Sequence, residues 1–290
     1  MKKITERFGY EPDMGNIGKI LSNIQSNLVN YVTPHNLSSC IGYTDYTSLN
    51  SNDTPFKIIS ITQKVNEFTI HYPNYPSPAS ICVYPNFGKF VNDTLTVSGV
   101  DITTVAGSFP TSQSFPEVKR MECKLAVQNG ANEIDIVLAL NAFFDGDLER
   151  ASQEIKDIKC DLGEKVILKV ILETGMLFTP DNIASASFLA MEAGADFITT
   201  STGKQETACT PMAAIVMCQS IKEFYNKRGK MVGFKATGGI TTAKDALCYL
   251  AIVEMILGKE WLTPRYFRIG ADRLINNLLS DLQQETVNFL

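Results

Sequence analysis

The sequence predicts a (β/α)8 TIM barrel with an N-terminal helical extension. Eight short β-branched runs alternate with longer amphipathic stretches, which implies right-handed βαβ units. Most runs are apolar throughout, as parallel strands covered by helices should be. No G-x-G-x-x-G follows the first run, so a closed barrel is favoured over an open dinucleotide-binding sheet.

The elements follow in order. Residues 14–32 place Met14, Ile17, Ile20, Leu21, Ile24 and Leu28 at helical spacing, and Pro34 is expected to end that helix. The extension is therefore assigned to 1–37 and the barrel to 38–290. Strands are expected at 39–44, 80–85, 102–107, 133–139, 165–173, 195–201, 231–236 and 266–270. Helices are expected near 54–66, 87–95, 114–129, 146–159, 180–193, 210–226, 241–257 and 271–283.

A chain of 290 residues fits one such domain, since α/β barrels run to about 250 residues. With 44% hydrophobic and 20% charged residues and no low-complexity stretch, disorder is not expected. A net charge of -5 disfavours a nucleic-acid partner and points to a small molecule or a protein. Seven cysteines without a C-x-x-C pair read as reduced thiols in a cytoplasmic setting. The N-terminus lacks an apolar core, and no segment offers eighteen consecutive apolar residues, so neither export nor a membrane span is expected. Only His35 and His71 occur, both expected at the surface, which disfavours a His-rich zinc site and a Ser-His-Asp triad. No metal or cofactor is expected.

Charges inside apolar strands mark the chemistry. EIDIV places Asp135 between Ile134 and Ile136 and on one face with Glu133 and Val137. VILKVILETG and VGFKATGG do the same with Lys169 and Lys235. Such charges are tolerable inside a barrel as a mutually paired cluster, either a structural ion network or a site for carbonyl chemistry. In the second case a lysine beside another cation has a lowered pKa and can act as amine or proton carrier. Cys82 is a candidate for the barrel interior. Gly238 and Gly239 before Thr241 and Thr242, and Gly270 with Ala271, offer backbone donors near helix starts to an anion. STGK at 201–204 lacks the remainder of a Walker A motif, which is rejected.

Several segments fall in register with one family: CIGYTDYTSLN (40–50), ICVYPNF (81–87), TTVAGSFPTSQ (103–113), EIDIV (133–137), KVILETG (169–175), GADFITTSTGK (194–204), GFKATGGI (233–240) and FRIGADRL (267–274). Over residues 38–290 the chain resembles deoxyribose-phosphate aldolase. The resemblance implies a metal-free class I aldolase, often dimeric, that cleaves 2-deoxyribose 5-phosphate into glyceraldehyde 3-phosphate and acetaldehyde. It implies that Asp135 shuttles protons, Lys235 is the helper lysine and Cys82 lines the pocket. Asp45, Thr47, Lys169 and Lys204 match further site residues.

The pattern breaks where the family carries its Schiff-base lysine. The family reads F-I-K-T-S-T-G-K and this chain reads FITTSTGK, so Thr199 stands at that position. A hydroxyl forms no iminium. The usual P-A-G-G is Ala236-Thr237-Gly238-Gly239, and Asp272, beside Arg273, replaces a serine near the expected phosphate. Two readings follow: a lyase whose amine has moved to Lys235 or Lys169, or a sugar- or aldehyde-phosphate-binding paralogue without turnover.

Overall fold

The computed structural model describes residues 4–290; the first three residues of the expected extension lie outside it. Eight parallel strands close into a barrel in chain order. They are β1 (Thr44–Thr47), β2 (Ser80–Val83), β3 (Asp101–Val105), β4 (Glu133–Val137), β5 (Ile167–Ile171), β6 (Phe197–Thr199), β7 (Gly233–Thr237) and β8 (Phe267–Ala271), with β8 pairing back onto β1.

The helices are α1 (Ile4–Phe8), α2 (Met14–Asn27), α3 (Pro34–Gly42), α4 (Pro55–His71), α5 (Gly88–Thr94), α6 (Pro116–Gln128) and α7 (Leu140–Phe144). After these come α8 (Leu148–Leu162), α9 (Thr174–Leu177), α10 (Pro180–Glu192), α11 (Pro211–Arg228), α12 (Ala243–Ile256) and α13 (Leu274–Gln283). A Thr-Pro pair starts α3, α4, α10 and α11. In each, the threonine hydroxyl accepts from a first-turn amide and proline occupies the first turn, where its missing N–H costs nothing.

That device corrects one expectation. Pro34 opens a helix, capped by Thr33, instead of only ending one, so the strand expected at 39–44 is mostly the end of α3. The first strand is TDYT at 44–47. The other seven expected strands all overlap observed ones.

Outward-facing Ile134, Leu168, Val170, Ile198, Phe234 and Ile269 are fully or almost fully buried beneath the helices. Burying side chains of this size is worth roughly 1.5–3 kcal/mol each before chain entropy is subtracted. The first helices pack outside this layer: Phe8 stacks on Phe188 of α10 with ring centroids 4.2 Å apart, and the Tyr10 hydroxyl donates to Gln219 of α11. His35 and His71 are exposed, on α3 and α4. Among the described residues no helix is long and apolar enough to cross a membrane.

Candidate active site

The inward side chains follow from strand register. Alternate strands contribute to successive layers of four, as barrel closure requires. The lowest of three layers holds Ser80, Glu133, Phe197 and Arg268; the next holds Asp45, Thr103, Lys169 and Lys235; the third holds Cys82, Asp135, Thr199 and Gly270. Apolar outward and polar inward alternation therefore builds a charged axis within a covered barrel.

Asp45, Glu133 and Asp135 meet Lys169, Lys235 and Arg268 there, so opposite charges balance. Lys235 Nζ lies 2.6 Å from Asp45 Oδ2 and 2.7 Å from Asp135 Oδ2. Lys169 Nζ lies 2.7 Å from Glu133 Oε2 and 2.9 Å from Asp135 Oδ1. Arg268 reaches Asp45 at 2.6 Å and Glu133 at 2.8 Å. Thr103 donates to Glu133 at 2.6 Å and Ser80 to Asp45 at 2.8 Å. Desolvating six charges is costly, and this geometry offsets the cost by pairing each ion more than once.

The network reverses the expectation of a lowered lysine pKa. Burial opposes the charge on Lys235, but the Asp135 and Asp45 carboxylates outweigh it and hold the ammonium above its ordinary range. Lys169 is likewise raised: burial is outweighed by Asp135, Glu133 and Asp45. Burial also opposes ionisation of Asp45, yet Lys235 and Arg268 pull its carboxyl far below the usual range. Burial pushes the Cys82 thiol up to about 12, so Cys82 is a neutral wall of the interior.

Thr199 is 1% exposed and pairs in register with Lys235, and its hydroxyl has no hydrogen-bond partner among the described residues. Thr174, Ser201 and Thr237 carry further buried, unpartnered hydroxyls after or at the ends of the same group of strands. Such groups are uncommon, because an unsatisfied buried hydroxyl costs roughly 1–3 kcal/mol.

Above the charged axis lies a cleft of about 180 Å³ lined by Thr47, Lys204, Gly238, Gly239, Gly270 and Ala271, together with Asp272. Of the expected binding residues these six line the cleft, whereas Asp45, Lys169 and Cys82 lie in the layers beneath it. Gly270 is required because a Cβ there would lie 2.5 Å from Thr237 Oγ1 and 3.2 Å from Lys235 Cε; its bare backbone opens the cleft floor toward the Lys235 stem. Gly238 has φ +102 and packs so closely that a Cβ would meet Ala208 Cβ at 2.6 Å. Lys204 Nζ donates to the Leu49 carbonyl across the cleft.

The two helix starts beside the cleft are capped differently. Asp245 accepts from the Thr242 amide at 3.0 Å and its hydroxyl at 2.7 Å, closing a capping box that takes up the Thr242 and Asp245 amides at the start of α12. The start of α13 has no side-chain cap, and the cleft lining runs through Gly270, Ala271 and Asp272 to just before it. Asp272 is 62% exposed and its nearest cation, Arg273, is 3.8 Å away and 80% exposed.

Two members of the axis escaped sequence reasoning as site residues. Glu133 shares a face with Asp135 in EIDIV, and Arg268 interrupts the apolar run FRIGA as Lys169 and Lys235 interrupt theirs. The same criterion, applied to the last strand, finds it. Among the described residues, no group of three or more His, Cys, Asp or Glu side chains is arranged to hold a metal ion.

The comparisons place the chain in one family and agree with its barrel fold. Residues 40–254 match the family model described as DeoC/LacD family aldolase. The chain is 38% identical over 259 residues to the deoxyribose-phosphate aldolase of Homo sapiens, covering 86% of this chain and 80% of that protein. It is 38% identical over 251 residues to that of Bos taurus, covering 83% and 77%. Among solved structures, QR15, an aldolase, superposes with TM-score 0.68 at 26% identity, covering 84% of this chain and 96% of the other. The tetrameric deoxyribose-phosphate aldolase of Aeropyrum pernix superposes with TM-score 0.67 at 22% identity, covering 93% and 98%, a likeness of fold. With the family model matching most of its length, this chain belongs to the DeoC/LacD aldolase family.

Proposed function

We propose that the cleft binds 2-deoxyribose 5-phosphate or a related short aldehyde phosphate, and that the chain keeps the acid–base half of an aldolase site without its imine-forming half. One observation carries this reading. Both lysines of the charged axis are held as ammonium ions by carboxylates, while the register partner of Lys235 is a threonine. Imine formation needs a free amine. Asp135 and Lys235, 2.7 Å apart, remain as a proton-transfer pair beneath a cleft suited to an anion. Its uncapped α13 end and Lys204 supply donors to the phosphate, and Gly270 admits the carbonyl end toward Lys235. Seven cysteines with no disulfide support a reducing, cytoplasmic setting for this role.

Calorimetric titration with 2-deoxyribose 5-phosphate, paired with an assay for released acetaldehyde, tests the reading. The expected result is saturable binding of the phosphate ester, weaker binding of unphosphorylated deoxyribose, and negligible acetaldehyde. No binding, or brisk cleavage, contradicts it. The competing reading, turnover through a relocated amine, has Lys204 as its best-placed lysine, because a carbonyl and not a carboxylate holds its Nζ.

A further inference from the structure

Glu173 lies just beyond β5, outside the charged axis, and is 2% exposed. Its backbone adopts φ 53 and ψ 61, a left-handed conformation that residues with a Cβ rarely take. Its carboxylate faces the loop after β6. The Thr202 hydroxyl donates to Glu173 Oε2 at 2.5 Å, and the Thr202 amide approaches both carboxylate oxygens at 3.3 Å. The same hydroxyl accepts from the Lys204 amide at 3.1 Å. Lys204 lines the cleft, so a continuous chain of hydrogen bonds runs from Glu173 through Thr202 to the backbone amide of a cleft-lining lysine.

Adjacent contacts fasten the same two segments. The Thr174 amide donates to the Thr200 carbonyl at 2.8 Å. Gly175 packs under the loop so tightly that a Cβ would lie 2.1 Å from the Thr207 carbonyl oxygen. Burial pushes the Glu173 carboxyl above its ordinary range, with the Thr202 hydroxyl and amide opposing that rise. A carboxylate kept where burial penalises it, on a rare backbone conformation, marks a position held for a purpose other than stability.

We propose that Glu173 is a positioning residue: its carboxylate latches the 200–204 loop against the β5 exit and thereby holds Lys204 on the wall of the cleft. The latch acts on ligand affinity and touches no reacting atom. The inference rests on the reading that the cleft takes a phosphorylated ligand, but its mechanical part is independent of it. Glutamine keeps an acceptor oxygen for Thr202, whereas alanine removes it.

The test compares Glu173→Ala and Glu173→Gln in the full chain by two measurements. Calorimetry with inorganic phosphate and with 2-deoxyribose 5-phosphate should show about tenfold weaker binding for Glu173→Ala, the scale of one or two lost charge-assisted hydrogen bonds. Glu173→Gln should stay within about threefold, and affinity for unphosphorylated deoxyribose should not change in either variant. Amide hydrogen exchange at Thr202 and Lys204 should accelerate in Glu173→Ala without any ligand. If Glu173→Ala does not fold, Thr202→Val removes the hydroxyl link alone and should weaken phosphate binding in the same direction.

Unchanged exchange at Thr202 in Glu173→Ala overturns the latch. So does equal weakening of phosphorylated and unphosphorylated ligands, which marks general damage. Absence of phosphate binding in the unaltered chain sinks the proposed function, while exchange still decides the latch.

Discussion

Thr199 faces Lys235 across the β6–β7 ladder, and its hydroxyl has no hydrogen-bond partner among the described residues. Lys235 is instead clasped between Asp45 and Asp135. A lysine at position 199 would stand buried beside the Lys235 ammonium, the kind of neighbour that lowers an amine pKa. Threonine removes both the nucleophile and that perturbation.

Arg268 is the keystone of the acid group, bridging Asp45 and Glu133. Arg268→Met leaves an uncompensated buried negative charge and is expected to cost about 3–5 kcal/mol. Urea unfolding of the variant against the parent checks the value. A loss near zero would show that the arginine is dispensable.

Stability should depend on pH with a defined sign. Burial raises the carboxyl pKa values of Asp45 and Glu133, but Lys235 and Arg268 for Asp45, and Lys169 and Arg268 for Glu133, bring both below ordinary. Their contribution is full above the unfolded carboxylate range of about 4 and is lost as pH falls below it toward the folded values. Lys169 and Lys235, raised in the fold, contribute fully below about 10.4 and less as pH rises through their folded values. Denaturant curves at pH 3, 5, 7 and 9 should show a decline confined to the acidic end. A maximum near pH 3 would refute the charge assignment.

Cys82 should resist alkylation. With its thiol pushed to about 12 by burial, it presents almost no thiolate at neutral pH, whereas Cys160 is exposed. Iodoacetamide at pH 7.5, followed by peptide mass spectrometry, should label Cys160 first and Cys82 only after unfolding.

Asp272 opposes an anion at the cleft rim. Asp272→Asn should tighten inorganic phosphate binding by about two- to fivefold at low salt, with the gain shrinking at high salt, as expected for a screened charge near a helix end. Calorimetry at two ionic strengths reads both effects.

The strands β2 to β8 were legible because their outward faces are apolar, and that signal survives burial of polar groups on the inward face. The first strand was not: in TDYT, Asp45 and Thr47 face inward, and of the outward pair Thr44 and Tyr46 only the tyrosine is apolar, while the preceding SSCIGY imitates a strand although Thr33 and Pro34 begin a helix there. Asp135, Lys169 and Lys235 stood out as charges within apolar runs. Asp45 and Thr47 came from the family resemblance. Glu173 gave no local signal, because its role depends on a loop 29 residues later folding over it.

The central claim is that neither the charged axis of this chain nor Lys204 on the cleft wall presents an amine able to form an imine. Borohydride trapping with acetaldehyde, read by peptide mass spectrometry on the unaltered chain and on Thr199→Lys, tests it most directly. The account predicts no adduct on Lys169, Lys204 or Lys235 in the unaltered chain and an adduct at position 199 in the variant, accompanied by acetaldehyde release from 2-deoxyribose 5-phosphate. A reduced adduct on any of the three native lysines would contradict it.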